Sequence, residues 1–287
     1  EHYLNKPYGD VWHKMRTLAY TQHPYRWMTI GAELSHVENA TIEDVKSFFY
    51  KHYRPVNAIL TVAGNVKTDE VKRLAEKWFG PIPMGTPYQR ELPQEPVQTQ
   101  ARRLTVKANV PVDAFVKTWH MCARNHADYH AADLITEVLG GGGSSRLYQS
   151  LVKEQKLFAN LDCYHFGSLD AGLMTIEGKL VHGVSAEKAE AAVNAELEAF
   201  LAQPISDKEL QKVINKTESA IAFEDMSIMS RASSLAFYQL LGDAGEMNTE
   251  LDKYRQVTPT SLQNLARNIF QETNSNTLYY LSQQNTL

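Results

Sequence analysis

The stretch Glu137-Val-Leu-Gly-Gly-Gly-Gly-Ser-Ser-Arg-Leu-Tyr-Gln-Ser-Leu151 organises the reading of this chain. Four consecutive glycines, Gly140 to Gly143, separate two segments that both read as helix. The first runs from His126 and places Ala131, Leu134, Ile135, Val138 and Leu139 at i, i+3, i+4, i+7 and i+8, one buried stripe. The second begins at Ser144 or Ser145, either of which suits a helix N-cap, and continues through Leu147, Tyr148 and Leu151. Glycine adopts positive φ without strain and lets another backbone approach closely, so this run predicts a sharp reversal on an open surface. Gly140, Gly141, Gly142 and Gly143 are therefore candidate substrate-binding residues, a loop for an extended ligand. The competing reading is a plain helix–helix turn. A phosphate loop is excluded, because no Gly-Lys-Ser/Thr follows.

The composition bounds the rest. A chain of 287 residues with 43% hydrophobic content can bury a sizeable core, and its length predicts two domains. With 29 basic and 33 acidic residues, net charge −4, nothing points to nucleic acid or an anionic membrane. Cys122 and Cys163 are too few for a disulfide framework and fall in expected strands as core thiols. No apolar run approaches the ~20 residues of a membrane helix. Position 1 is Glu, and the first residues already look structured, so the chain reads as a fragment of a longer protein.

Along the chain, residues 8–20 predict an amphipathic helix carrying Val11, Met15, Leu18 and Ala19 on one face. Pro24 opens an irregular stretch to Gly31. Thr41-Ile-Glu-Asp44 is a capping box for a helix with Val45, Phe48, Phe49 and Tyr53 inward, stopping before Pro55. Residues 58–63 predict a strand, and residues 68–79 a helix. Met84 to Gln100 has no period and predicts a linker. Strands follow at 104–110 and 115–122, then the glycine-linked helices, then a strand pair at 158–166 and 173–181. A Ser-capped helix at 185–202, one or two long helices over 207–241, a helix at 259–270 and a strand at 277–281 complete the chain. The fold class expected is α+β, with antiparallel strands and helices packed on one face.

In order along nearly the whole chain, several stretches resemble the insulinase/pitrilysin family of zinc peptidases, in its processing-peptidase-like branch. They are His23-Pro24-Tyr25 with Ile30-Gly31, Asp44 to Phe49 with Tyr53-Arg-Pro-Val-Asn57, Ala58 to Gly64, Trp78 to Pro83, and Leu139-Gly-Gly-Gly with Ser145 to Leu151. The resemblance implies two α/β-roll domains: residues 1–90 as the C-terminal part of an incomplete first, zinc-type domain, 91–100 as linker, and 101–287 as the second domain. It also implies a zinc-dependent endopeptidase that hydrolyses unfolded peptides in a closed chamber. The zinc is held by His-x-x-Glu-His and a further Glu, and the motif's Glu activates the metal-bound water.

The chain departs from that pattern twice. None of its 10 histidines belongs to a His-x-x-Glu-His motif. The resemblance places that motif upstream, and the additional Glu ligand at or just before Glu1. Zinc is thus expected in the full-length protein and not in this fragment, which should be inactive alone. The family's Arg and Tyr after the glycine loop, which bind substrate and stabilise the transition state, correspond here to Val152 and Ala159. A second family subunit supplying that pair, or a homodimer, is the partner implied. A non-catalytic structural subunit of the same fold is the alternative, and an unrelated α+β binding protein a third. The expected location is soluble, in a bacterial cytoplasm or periplasm.

Other chemistry is weaker. His126 and His130 at i, i+4, with Asp133 a turn further and His120 near in sequence, have metal-like spacing or form a polar first helical turn. Glu209 and Glu224-Asp225 read as solvated helix faces, and Tyr25 and Trp27 as aromatics packing a turn or lining a peptide channel. The strand after the glycines, or its neighbour, is the candidate open edge for an added peptide strand.

Overall fold

The computed structural model describes residues 5–31 and 33–283; Glu1, the candidate for the last zinc ligand, lies outside them. The helices of the first third are α1 (Val11–Ala19), α2 (Leu34–Glu38), α3 (Ile42–His52) and α4 (Thr68–Phe79). Then come β1 (Arg102–Ala108), β2 (Ala114–Met121), α5 (Tyr129–Gly140), a π-helix at Tyr148–Glu154, β3 (Phe158–His165) and β4 (Gly172–Leu180). The chain closes with α6 (Ala186–Ala202), α7 (Asp207–Glu224), α8 (Ile228–Leu241), α9 (Glu250–Arg255), α10 (Pro259–Ile269) and β5 (Ser275–Ser282). Contacts group these elements into two compact units. One comprises Glu1–Thr29, Pro93–Asn215 and Tyr254–Leu287; the other comprises Ile30–Leu92 and Lys216–Lys253.

The first unit is built on one five-stranded sheet in the order β1-β5-β2-β4-β3. The class is α+β, as expected, with two differences in detail. The sheet is mixed, because β5 returns from α10 to lie parallel to β1 while pairing antiparallel with β2. Helices also occupy both faces. Period-two alternation sends Phe115, Lys117 and Trp119 of β2 towards α6 and the end of α10, where Trp119 meets Phe270 edge-on. The intervening Ala114 and Val116 face α1, whose Val11 and Met15 join them with Leu278 and Tyr280 in a core cluster. The amphipathic stripe expected over 8–20 thus buries its apolar residues against the second face of the sheet.

A charged group lies in the middle of the α6–sheet interface. Glu190 of α6 is buried and accepts hydrogen bonds from Arg103 of β1 (2.5 and 3.1 Å), Lys117 of β2 (3.0 Å) and Thr277 of β5 (3.2 Å). Tyr279 donates a further short bond to it. Lys117 is 1% exposed and also donates to Asn194 at 3.0 Å. Burial raises the Glu190 pKa, but the donors from Arg103, Tyr279 and Lys117 outweigh it and hold the carboxyl down at about 2.

Residues 84–100 have no regular structure, and part of the stretch is anchored. The Glu95 carboxylate accepts the backbone N–H groups of Thr21, Gln22 and His23 at 2.7 to 2.9 Å. Burial pushes its pKa up, and these bonds, from His23, Gln22 and Thr21, bring it down to about 2. Gln98 is buried and donates to the Ser275 carbonyl at 2.9 Å.

In the second unit, the Thr41–Asp44 capping box forms as predicted, with both reciprocal bonds present. The inward face expected of α3 does not. Val45, Phe48, Phe49 and Tyr53 are all exposed, as are Trp78 and Phe79 of α4. Residues 58–63 are not a strand: no partner strand pairs with them among the described residues, and Ile59, Leu60 and Val62 are exposed. β-favouring residues without a neighbouring ladder have nothing to bond or pack against.

Removing the central carboxylate should be costly, because it leaves a buried ammonium without its main counter-charge. Glu190→Ala is expected to lower stability by about 3–5 kcal/mol, while Glu190→Leu combined with Lys117→Met should recover much of the loss. Urea denaturation of the single and double variants checks this. The folded pKa of about 2 lies below the ordinary 4.5, so the carboxylate's contribution is full above about pH 4.5 and disappears as pH falls towards 2. Between pH 5 and 2 the wild type should therefore lose more stability than Glu190→Gln.

Candidate substrate-binding loop

The glycine run follows α5, which extends to Gly140, one residue into the run. Its buried face contains Ala131, Leu134, Ile135, Val138 and Leu139, the predicted stripe. The four glycines have different reasons to be there. A Cβ on Gly140 would lie 2.1 Å from the Cys163 backbone nitrogen, so α5 meets β3 in direct backbone contact. A Cβ on Gly141 would strike the Glu137 side chain and carbonyl. Gly142 has φ +96°, a left-handed conformation that disfavours any side chain. Gly143 is exposed, and a Cβ there would meet only Tyr148 Cε1 at 3.9 Å. The turn is closed by Ser145, whose N–H and Oγ both donate to the Gly142 carbonyl, at 3.0 and 2.7 Å. Ser145 thus ties the loop rather than capping the following helix.

That helix is a π-helix, an arrangement that widens the turn and recurs at functional sites. It contains Val152, and β3 contains the exposed Ala159, so neither position offers a cation or a phenol. The nearby Arg146 is occupied by a bidentate pair with Glu209 at 2.9 and 2.7 Å, and each group draws the other towards its charged form. Glu209 is therefore a partly buried ion-pair partner, not the solvated face expected from its position, whereas Glu224 and Asp225 are exposed. Among the described residues β3 pairs only with β4 and forms one edge of the sheet, directly after the π-helix. Of the two strands that are candidates for an open edge, β3 has an unpaired side among the described residues and β4 does not.

The His126–His130–Asp133 series does not assemble as ligands. His126 is exposed and pairs with Asp128, while His130 is buried against the rings of Tyr129 and Tyr254. Asp133 accepts from His165 at 2.9 Å and from the Tyr254 hydroxyl at 2.7 Å. Burial raises its pKa, and those two hydrogen bonds hold it below the usual carboxylate range. His120 bonds the Ala19 carbonyl at 3.0 Å, and burial lowers its pKa. Cys163 lies buried in β3, and Cys122 falls just past the end of β2; burial pushes its thiol up to about 11, away from reactivity. Tyr25 packs edge-on against Tyr20 and His23, which makes it part of a folded turn. Among the described residues, no three His, Cys, Asp or Glu groups meet in a way that would hold a metal ion. The described residues therefore do not by themselves form a zinc site.

A profile of the peptidase M16 inactive domain matches residues 39–217. The chain belongs to that family. It is 28% identical over 283 residues to the zinc protease PqqE of Helicobacter pylori, covering 96% of this chain and 62% of that protein. It is 25% identical over 185 residues to a probable mitochondrial-processing peptidase subunit beta of Schizosaccharomyces pombe, covering 58% and 38% of the two. A protease structure from Helicobacter pylori superposes with a TM-score of 0.87 at 25% identity, over 97% of this chain and 68% of that one. The chain spans 62% and 63% of the first two curated relatives that it matches. Relatives in the M16 family are named zinc proteases, and among the described residues no helix is long and apolar enough to cross a membrane.

The glycines can be separated by experiment. Gly140→Ala should cost about 1–3 kcal/mol, because α5 must shift off β3, while Gly143→Ala should stay within about 0.5 kcal/mol. Equal losses for the two would mean that the Gly140–Cys163 contact does not hold the loop.

Proposed function

We propose that this chain is part of a zinc-dependent M16 endopeptidase subunit acting on unfolded peptides or oligopeptides within a closed chamber. In this reading, residues 1–90 are the later part of a zinc-type roll domain, residues 91–100 the linker, and residues 101–287 a second roll domain. The observation that supports this best is the exposed β3 edge beginning just beyond the glycine loop and π-helix, in a fold whose relatives are named zinc proteases. An edge strand offers unpaired N–H and C=O groups to an extended chain, giving affinity with little sequence preference. Gly140 to Gly143 keep the approach free of side chains.

The described residues contribute binding and support to the reaction, not the metal or the transition-state donors. Val152 and Ala159 stand where a cation and a phenol would act, so a second family subunit supplies that pair in trans, or a second copy does if its own sequence allows. The same two positions favour the alternative of a non-catalytic structural subunit if zinc is absent from the complete protein.

The test is zinc content and hydrolysis of an unfolded peptide by the protein as its gene encodes it, alone and mixed with family partner subunits. Stoichiometric zinc with activity confined to the mixture is the expected result. No zinc under any condition selects the structural subunit. Independently, single prolines along residues 159–164 should abolish binding of extended peptides while leaving a cooperative melt. Retained binding would remove the edge from the mechanism.

A further inference from the structure

In the second unit, a cavity of about 690 Å³ lies between the C-terminal end of α3 and the turn that follows α4. It is lined by Tyr50, Lys51 and Arg54 on one side and by residues 85–89, including Tyr88, on the other. Its framework is fixed by hydrogen bonds. The Asn57 side chain accepts the Tyr88 N–H at 2.9 Å and donates to the Lys51 and His52 carbonyls at 3.3 Å. The Val56 N–H donates to the Met84 carbonyl at 3.3 Å. Gly85 has φ +80°, and a Cβ there would lie 2.7 Å from Arg54 Cγ, so the turn closes directly over the arginine stem.

The charges in this cavity are unbalanced. The Arg54 Nε donates to the Tyr50 carbonyl at 2.8 Å, which fixes the guanidinium and leaves both terminal nitrogens without a partner among the described residues. Lys51 lies over the Tyr88 ring at 5.6 Å, and Arg54 over the Tyr50 ring at 5.1 Å. Neither cation forms an ion pair among the described residues, and no carboxylate lines the cavity. Aromatic walls orient both cations but do not neutralise them. A fixed guanidinium with both terminal nitrogens free can take a carboxylate end-on through two parallel bonds, and the adjacent ammonium adds a second charge.

We infer that this cavity binds the free C-terminal carboxylate of a peptide, through Arg54 and Lys51, with the last side chain lying between Tyr50 and Tyr88. The peptidic nature of the ligand rests on the proposed peptidase reading; the carboxylate rests on the cavity alone. The site retains chains by their ends and does not take part in bond cleavage.

The test is an NMR-detected titration of the 287-residue chain with N-acetyl-Ala-Phe bearing a free carboxylate, with its C-terminal amide, and with inorganic phosphate. Saturable binding of the free acid, at least tenfold weaker binding of the amide and of phosphate, and at least a tenfold loss in Arg54→Gln are expected. Arg54→Lys should lose nearly as much, because the ammonium cannot make two parallel bonds. Lys51 makes no side-chain hydrogen bond among the described residues, so Lys51→Gln should fold normally and bind severalfold more weakly; it decides the matter if Arg54→Gln does not fold. Equal affinity for acid and amide, tighter binding of phosphate, no saturable binding, or no effect of Lys51→Gln in a folded protein would each overturn the inference. None of these outcomes depends on zinc or hydrolysis, so the peptidase reading stands or falls separately.

Discussion

The sheet depends on one buried carboxylate. Glu190 sits on α6 and receives donors from three different strands, Arg103 on β1, Lys117 on β2, and Thr277 and Tyr279 on β5. A carboxylate taken from water loses several kcal/mol of solvation, and only a nearly complete set of donors offsets that. The set is complete in one register alone. A slip of one residue would turn Leu104 or Leu278 towards the carboxylate and Arg103 or Thr277 towards α1, because strand side chains alternate between faces. The parallel β1–β5 pairing, which joins the first and last strands of the unit, is thereby specified by charge as well as by apolar packing.

With β5 and β2 fixed, β4 follows by antiparallel pairing, and β3 is left at the edge. Everything in the candidate peptide-binding region hangs on that edge. α5 ends where Gly140 touches Cys163, and the chain then reverses through Gly142 into a π-helix. The glycines are thus explained largely by packing and turn geometry. Only Gly143 has neither reason, being exposed with free space around its Cα. The helix–turn reading and the ligand reading divide along the run: the first three glycines build the turn, and the openness of the last bears on a ligand.

Periodicity made most of the first unit legible. The α5 stripe, the Ser185 cap, the β3–β4 pair and the α1 face all follow from local spacing. The parallel position of β5 does not, because strand order depends on contacts far apart in sequence. Nor does Glu190, which sits in an Ala/Glu-rich helix with the exposed Glu187 and Glu198; only the strands opposite single it out. Glu95 and Glu209 are hidden for the same reason. Each is an acidic residue in a polar stretch, and its role is set by backbone N–H groups or an arginine distant in sequence. The metal-like spacing of His126 and His130 misleads because it ignores the tertiary environment: one ring is solvated and the other is packed between tyrosines.

The second unit makes the opposite case. Its local signals hold: the capping box forms, and α3 and α4 have the expected lengths. Its tertiary expectations fail, since the apolar face of α3 and Ile59, Leu60 and Val62 remain exposed. Local propensity alone does not make a strand; a partner ladder and a covered face are required. Side chains such as Phe48, Phe49 and Trp78 would each contribute roughly 1.5–3 kcal/mol if buried, and exposed as they are among the described residues, they leave that stabilisation unrealised.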